Sequence, residues 1–158
     1  MNTATADLCD TNDAAQVCLL AFRSYGGRHA MQGPVRTVRC SSHAGLVRDQ
    51  VKLAGDGAVL VIDAGGRLDL AFLGERLAEM AMNNGWGGVL VHGAVRDTVQ
   101  LAAMDFCVMA LGAVPRRASL DRVGEVGIAL QFGGAFFTPG GFVVADLDGV
   151  VVLPGGGT

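Results

Sequence analysis

Apolar positions along the chain follow more than one period. From Pro34 to Cys40 (Pro-Val-Arg-Thr-Val-Arg-Cys) apolar and polar residues alternate, as in a strand with one buried face. Ala58 to Asp63 and Gly88 to His92 are instead almost continuously apolar, the pattern of strands covered on both faces. Between them, Gly74 to Asn84 carries Leu77, Met80 and Ala81 at helical spacing, and Gly85 follows as the residue that ends the helix. Short helices are predicted around Ala44 to Lys52 and Thr98 to Met104, with a further strand over Phe106 to Leu111. Upstream, Thr5-Ala6-Asp7-Leu8-Cys9-Asp10 reads as a helix start with Thr5 as N-cap, and Gly26-Gly27 closes that region. A strand–helix–strand–helix–strand order predicts a parallel α/β core with right-handed crossovers.

The last third changes character. Val126 to Phe132, Ala135 to Phe137, Phe142 to Ala145 and Val150 to Leu153 read as short apolar strands. Gly133-Gly134, Pro139-Gly140-Gly141 and Asp148-Gly149 separate them, and Asp-Gly between two such runs is a hairpin signal. With no linker, repeat or low-complexity segment, residues 1–158 read as one α/β domain with an antiparallel C-terminal portion.

Composition narrows the function classes. The 12 Lys and Arg against 15 Asp and Glu leave a net charge of -3, so there is no basic field to hold a nucleic-acid backbone. Although 51% of residues are apolar, no apolar run reaches the ~18 residues a membrane span needs. The long uncharged stretch from Val126 to Ala145 is broken by glycines and Pro139. Met1 to Thr5 lacks the basic-then-apolar order of a signal peptide, so the expectation is a cytoplasmic protein without a membrane partner. Cys9, Cys18, Cys40 and Cys107 are widely spaced, form no C-x-x-C pair and read as reduced thiols rather than zinc ligands.

Chemistry in an α/β sheet collects beyond the carboxyl ends of its strands. Two such segments stand out: Asp63-Ala64-Gly65-Gly66 with the helix opening Leu73-Gly74-Glu75-Arg76-Leu77, and Gly93-Ala94-Val95-Arg96-Asp97. If the two strands are neighbours, both face one crevice. Free amides of Glu75, Arg76 and Leu77 would make an anion site suited to a carboxylate. Arg96 would bind that carboxylate in bidentate fashion or hold a developing enolate oxygen. Asp97 offers a hard oxygen ligand to Mg²⁺ or Mn²⁺, and Glu75 would reach such an ion through water.

Each of these residues also has a structural reading. Asp97-Thr98-Val99-Gln100 has the form of a capping box, Glu75 complements a helix dipole, and Arg96 could sit in an ion pair. His92, inside an apolar strand, reads as a hydrogen-bonded core histidine; His29 and His43 read as surface residues, and Asp146 and Asp148 as turn residues. Gly65-Gly66 fits neither a P-loop nor a dinucleotide fingerprint.

At Gly74-Glu75-Arg76-Leu77 and Gly93-Ala94-Val95-Arg96-Asp97 the chain resembles the family that joins the regulator of ribonuclease activity A to the class II 4-hydroxy-4-methyl-2-oxoglutarate aldolases. The resemblance runs from Thr5-Ala6-Asp7-Leu8-Cys9-Asp10 to Ala145-Asp146-Leu147-Asp148-Gly149-Val150 and includes Phe22, Gly26-Gly27-Arg28, Gly33-Pro34, Trp86 and Phe132-Gly133-Gly134. Its most specific piece is an acidic residue, twenty intervening residues, then Arg-Asp: Glu75 to Arg96-Asp97.

The resemblance implies a compact α/β/β/α swivelling-type domain assembled as a ring-shaped homotrimer. It implies a divalent-metal-dependent lyase that cleaves 4-hydroxy-4-methyl-2-oxoglutarate to two pyruvates and decarboxylates oxaloacetate, through a pyruvate enolate. It further implies that Asp97 holds the cation, that Glu75 acts through water and that Arg96 contacts the pyruvyl unit. The backbone of Gly74, Glu75, Arg76 and Leu77 would bind the substrate carboxylate.

The chain departs from the family pattern at three places: Glu75 stands where Asp is frequent, Arg76 where an apolar residue is common, and Ala64 where a glycine is. Some members also take an acidic residue from a neighbouring subunit's C-terminal extension, and no such extension is expected beyond Pro154-Gly155-Gly156-Gly157-Thr158. The same family implies a rival reading, a non-catalytic trimer that inhibits an RNase E-type endonuclease. Its best-known type lacks the aspartate after the arginine, and here Asp97 is present. A methyltransferase name is also attached to the family, but the chain has no glycine-rich cofactor loop followed by an acidic ribose ligand.

Overall fold

Side chains of the central strands are sorted to two faces of one mixed sheet. The computed structural model describes residues 3–154; Met1 and Asn2, read above for a targeting signal, and the tail 155–158 lie outside the described residues. The first half runs α1 (Thr5–Thr11), β1 (Gln16–Cys18), β2 (Arg23–Ser24), β3 (Met31–Arg39), α2 (Gly45–Val51), β4 (Val59–Asp63) and α3 (Glu75–Asn83). There follow β5 (Gly88–Val95), α4 (Thr98–Ala102), β6 (Val108–Ala113), β7 (Glu125–Val126), β8 (Leu130–Phe132), β9 (Ala135–Phe137), β10 (Phe142–Asp146) and β11 (Gly149–Leu153).

The strand order in the main sheet is β1-β11-β10-β3-β4-β5-β6-β2, with β7 beside the far end of β3 and β8-β9 as a separate hairpin. Strands β3, β4, β5 and β6 are parallel, as the alternation of strands and helices predicts. The remaining pairings are antiparallel. Leu60 and Ile62 of β4 and Val89 and Val91 of β5 face one apolar cluster, with Val47, Val51, Phe72, Ala78 and Ala81 from the crossovers. Val59, Val61 and Leu90 face the other, with Phe132, Phe137, Val143 and Val150 from the C-terminal strands. Burying each such aliphatic side chain stabilises the fold by roughly 1.5–3 kcal/mol, so the continuous apolar runs are what two covered faces require. Helix α1 lies against β10 and β11, which completes the α/β/β/α layering.

Several boundaries differ from the sequence expectation. Helix α1 begins at Thr5, and the cap position falls on Ala4, which has no side chain to cap with. Asp146 supplies that function from the β10–β11 turn, accepting from the Thr5 amide at 2.9 Å and the Thr5 hydroxyl at 2.7 Å. The predicted strand Val126 to Phe132 is interrupted, because Gly127 turns the chain at φ 74°. Its two ends pair with different strands, β7 with β3 and β8 with β9. In the β10–β11 hairpin Asp146 pairs with Gly149, so the loop residues are Leu147-Asp148 rather than Asp148-Gly149. Strand β5 continues past His92 to Val95, since Ala94 and Val95 pair with Gly112 and Ala113 after a register shift.

Candidate active site

The chain between β4 and α3 is held against the end of β5. Ala71 bridges Ala94 on one side and Arg117 on the other. The Phe72 amide donates to the Ala94 carbonyl at 3.0 Å and the Arg96 amide to the Leu73 carbonyl at 3.0 Å. These bonds bring Gly74, Glu75, Arg76 and Leu77 beside Arg96-Asp97, as the sequence reading requires. The register shift in β5 precedes this contact, and such irregularities re-aim the side chains that follow.

Asp97 joins the two segments directly. Its Oδ2 accepts from the Glu75 amide at 2.9 Å and so caps α3 from a position 22 residues along the chain. The Glu75 amide is therefore not free for a ligand, contrary to expectation. The amides of Arg76 and Leu77, in the same first turn, have no intrahelical acceptor and keep that capacity. Asp97 does not form the local capping box with Gln100. It occupies the cap position of α4 with no side-chain cap bond, in the left-handed region at φ 63°, ψ 47°. That conformation costs an L-residue about 1–2 kcal/mol and is borne most readily by Asp and Asn.

Around this junction lies a cavity of about 450 Å³. Its walls include all the predicted site residues, Gly74, Glu75, Arg76, Leu77, Arg96 and Asp97, together with Ala44, Arg48 and Lys52 of the α2 region, Met80, Arg117 and Leu120. Sequence reasoning missed Arg48, Lys52 and Arg117. A signal for the first two was present: Ala44, Arg48 and Lys52 are spaced by four and share one helical face. Arg96, Asp97 and Arg48 are half-buried, while Glu75, Arg76, Lys52 and Arg117 are exposed. None of these five cations pairs with a carboxylate among the described residues. Arg96 is thus not the structural ion pair that was its alternative.

The donor set suits a hard cation that keeps its waters. With Oδ2 given to the α3 amide, Oδ1 of Asp97 has no protein donor among the described residues. No group of three His, Cys, Asp or Glu side chains able to enclose a metal ion occurs among those residues. One carboxylate oxygen could serve Mg²⁺ or Mn²⁺, which keep several waters, and falls short of the protein ligand set of a structural zinc site.

The other candidates lie elsewhere. Nδ1 of His92 is 2.8 Å from Asp63 Oδ1, and the ring stacks on Phe132 at 4.3 Å. His92 is therefore a hydrogen-bonded inner residue, as read. Burial pushes the Asp63 carboxyl up, but the His92 hydrogen bond, the Gly65 amide and the charges of His92 and Arg39 outweigh it, and the net shift is downward. His29 is exposed and His43 is bonded to Ser119. All four cysteines are free. Burial pushes the thiols of Cys18 to about 11 and of Cys40 and Cys107 to about 12, which leaves them protonated and unreactive. No helix among the described residues is long and apolar enough to cross a membrane.

Comparison with known proteins shows the family of the chain. A profile of the RraA-like family (Aldolase/RraA) matches residues 5–152. A protein of Aromatoleum aromaticum named "Putative 4-hydroxy-4-methyl-2-oxoglutarate aldolase" is 43% identical over 153 residues, 96% of each chain. The solved structure of the RNA-processing inhibitor RraA from Thermus thermophilis superposes with a TM-score of 0.94 at 41% identity, covering 98% of this chain and 94% of that one. A structure from Geobacillus kaustophilus, named S-adenosylmethionine: 2-dimethylmenaquinone methyltransferase, gives 0.95 at 42% identity, covering 97% and 96%. The chain belongs to the RraA-like family.

Proposed function

We propose that the protein is a divalent-metal-dependent lyase, a class II aldolase that cleaves 4-hydroxy-4-methyl-2-oxoglutarate to two pyruvates and also decarboxylates oxaloacetate. The observation that carries this reading is the Asp97 carboxylate, fixed by the Glu75 amide beside Arg96 in a cavity lined by unpaired cations. Mg²⁺ or Mn²⁺ bound there supplies a Lewis acid to the 2-oxo acid. Asp97 would offer such an ion its Oδ1, and Glu75 would act on it through a water molecule. The first-turn amides of Arg76 and Leu77, with the backbone from Gly74, bind the substrate's C1 carboxylate. Arg96 contacts the pyruvyl unit and steadies the oxygen that gains negative charge as the carbon–carbon bond breaks. One well-placed donor of this kind is worth about 10²–10³ in rate. On the resemblance alone we further assign a homotrimer acting in the cytoplasm.

A second reading has its own support. The Thermus thermophilis relative is described as an inhibitor of RNA processing, so a non-catalytic trimer that docks on an RNase E-type endonuclease is the alternative. The methyltransferase name is that of the Geobacillus kaustophilus protein; we propose no methyl transfer here, because the sequence carries no glycine-rich cofactor loop followed by an acidic ribose ligand.

Pyruvate release from oxaloacetate and from 4-hydroxy-4-methyl-2-oxoglutarate separates the two readings. With Mg²⁺ or Mn²⁺ the wild type turns over both, EDTA stops it, and Asp97→Ala loses at least about 10²-fold. A folded wild type no faster than the metal ion alone would remove the lyase reading and leave the regulator.

A further inference from the structure

The cavity holds more positive charge than the proposed chemistry uses. Arg96 and the first turn of α3 serve the 2-oxo acid end of the substrate. Of the other cations on the walls, Lys52, Arg76 and Arg117 are exposed to solvent, and only Arg48 is half-buried.

Arg48 comes from α2, whose orientation is fixed on both sides of it. Val47 and Val51 are wholly buried in the main core. At the start of the helix, the Gly45 amide donates to the Asp121 carbonyl at 3.0 Å. A β-carbon on Gly45 would lie 2.4 Å from the carbonyl oxygens of Leu120 and Asp121, so the helix sits as close to that segment as backbone allows. Arg48 therefore reaches the cavity wall from a rigid element.

Its Nε is buried and has no hydrogen-bond partner among the described residues. No carboxylate there lies within ion-pair distance of its guanidinium either. A buried, unsatisfied donor on a permanently charged group is costly, and native proteins keep few of them. What satisfies a guanidinium side-on, through Nε and a terminal nitrogen together, is a carboxylate. Arg48 lines the cavity, so an occupant there is the partner that this guanidinium lacks among the described residues.

We propose that Arg48 receives the second carboxylate of a dicarboxylic 2-oxo acid and so sets the preference for dicarboxylates over pyruvate-like monocarboxylates. The inference rests on the proposed function for the orientation of the 2-oxo end. Arg48 is a specificity-determining residue here, acting on the carboxylate of the fragment that leaves and not on the pyruvyl unit that Arg96 and the first turn of α3 hold.

The test is calorimetric binding of 2-oxoglutarate and of pyruvate in the presence of Mg²⁺. 2-Oxoglutarate carries both carboxylates but lacks the C4 hydroxyl from which aldol cleavage starts, so it binds without reacting. The wild type should hold it about tenfold or more tightly than pyruvate, the effect of one charged hydrogen-bonded pair. In Arg48→Met that ratio should fall to about one with pyruvate affinity kept within about twofold, and Arg48→Lys should restore part of it. A wild-type ratio in either variant overturns the proposal, as does an equal loss of both ligands in Arg48→Met. Should Arg48→Met fail to fold, the partial ratio expected of Arg48→Lys decides alone. The two readings fail separately. Arg48-dependent preference without pyruvate release from 4-hydroxy-4-methyl-2-oxoglutarate removes the lyase and keeps the subsite. Pyruvate release with an unchanged ratio does the reverse.

Discussion

Gly74 is the residue at which the site has no room for a side chain. A β-carbon there would lie 2.6 Å from Asp97 Oδ2 and 3.1 Å from Arg96 Cγ. The backbone is not the obstacle, since φ -140° and ψ -164° suit any L-residue. Gly74→Ala should therefore fold and instead push the Asp97 carboxylate off the α3 amide. We expect kcat/KM for pyruvate release to fall about 10²-fold, the scale of a 1 Å misplacement. Stability should drop by about 1 kcal/mol, the worth of a cap, in urea unfolding. Wild-type kcat/KM in this variant would show that Asp97 does not need its present position. The residues of this junction were legible in the sequence, but the bond between them was not. A capping box is read from neighbours, which assigned Asp97 to its own helix with Gln100. The actual donor, the Glu75 amide, lies 22 residues away and is brought there by the pairing of Phe72 with Ala94.

The same displacement of a cap occurs between elements at α1. Thr5 was read as the cap, yet it is the capped residue, and the acceptor is Asp146 on the β10–β11 turn. Burial raises the Asp146 carboxyl, but the Thr5 amide and hydroxyl and the turn amides of Asp148 and Gly149 together hold it below its usual range. A folded-state pKa below the unfolded one means the latch contributes fully above the unfolded carboxylate range, near pH 4, and fades as pH falls through the lower folded value. Asp146→Asn should cost about 1 kcal/mol at pH 7 by urea unfolding, with the gap to wild type closing toward pH 3. A gap that persists undiminished there would show that the carboxylate's charge is not what holds the helix. Element interiors were legible because continuous apolar runs such as Val59 to Ile62 have no other use than two covered faces. Their ends depend on partners. Strand β5 runs through Gly93 because Ala94 and Val95 find Gly112 and Ala113, and Val126 to Phe132 breaks because its two halves pair with different strands.

Across the whole molecule, charge is distributed against its own net sign. The chain carries -3, and Arg28, Arg39, Arg67 and Arg122 each pair with a carboxylate. The cavity wall carries Arg48, Lys52, Arg76, Arg96 and Arg117 against Glu75 and Asp97 alone, and those five cations are left unpaired by the described residues. A concave, low-dielectric wall of one sign concentrates ligands of the other. Much of that attraction reaches through solvent, since Lys52, Arg76 and Arg117 are exposed, so added salt should screen it. Raising ionic strength from about 10 mM to about 1 M shortens the screening length from about 30 Å to about 3 Å. Over that range kcat/KM for the dianion oxaloacetate should fall several-fold, with kcat nearly constant, because the field governs encounter and binding rather than bond cleavage. A flat salt response would mean that the exposed cations do not draw the substrate in, and that the half-buried pair of arginines, screened least by salt, carries its recognition alone.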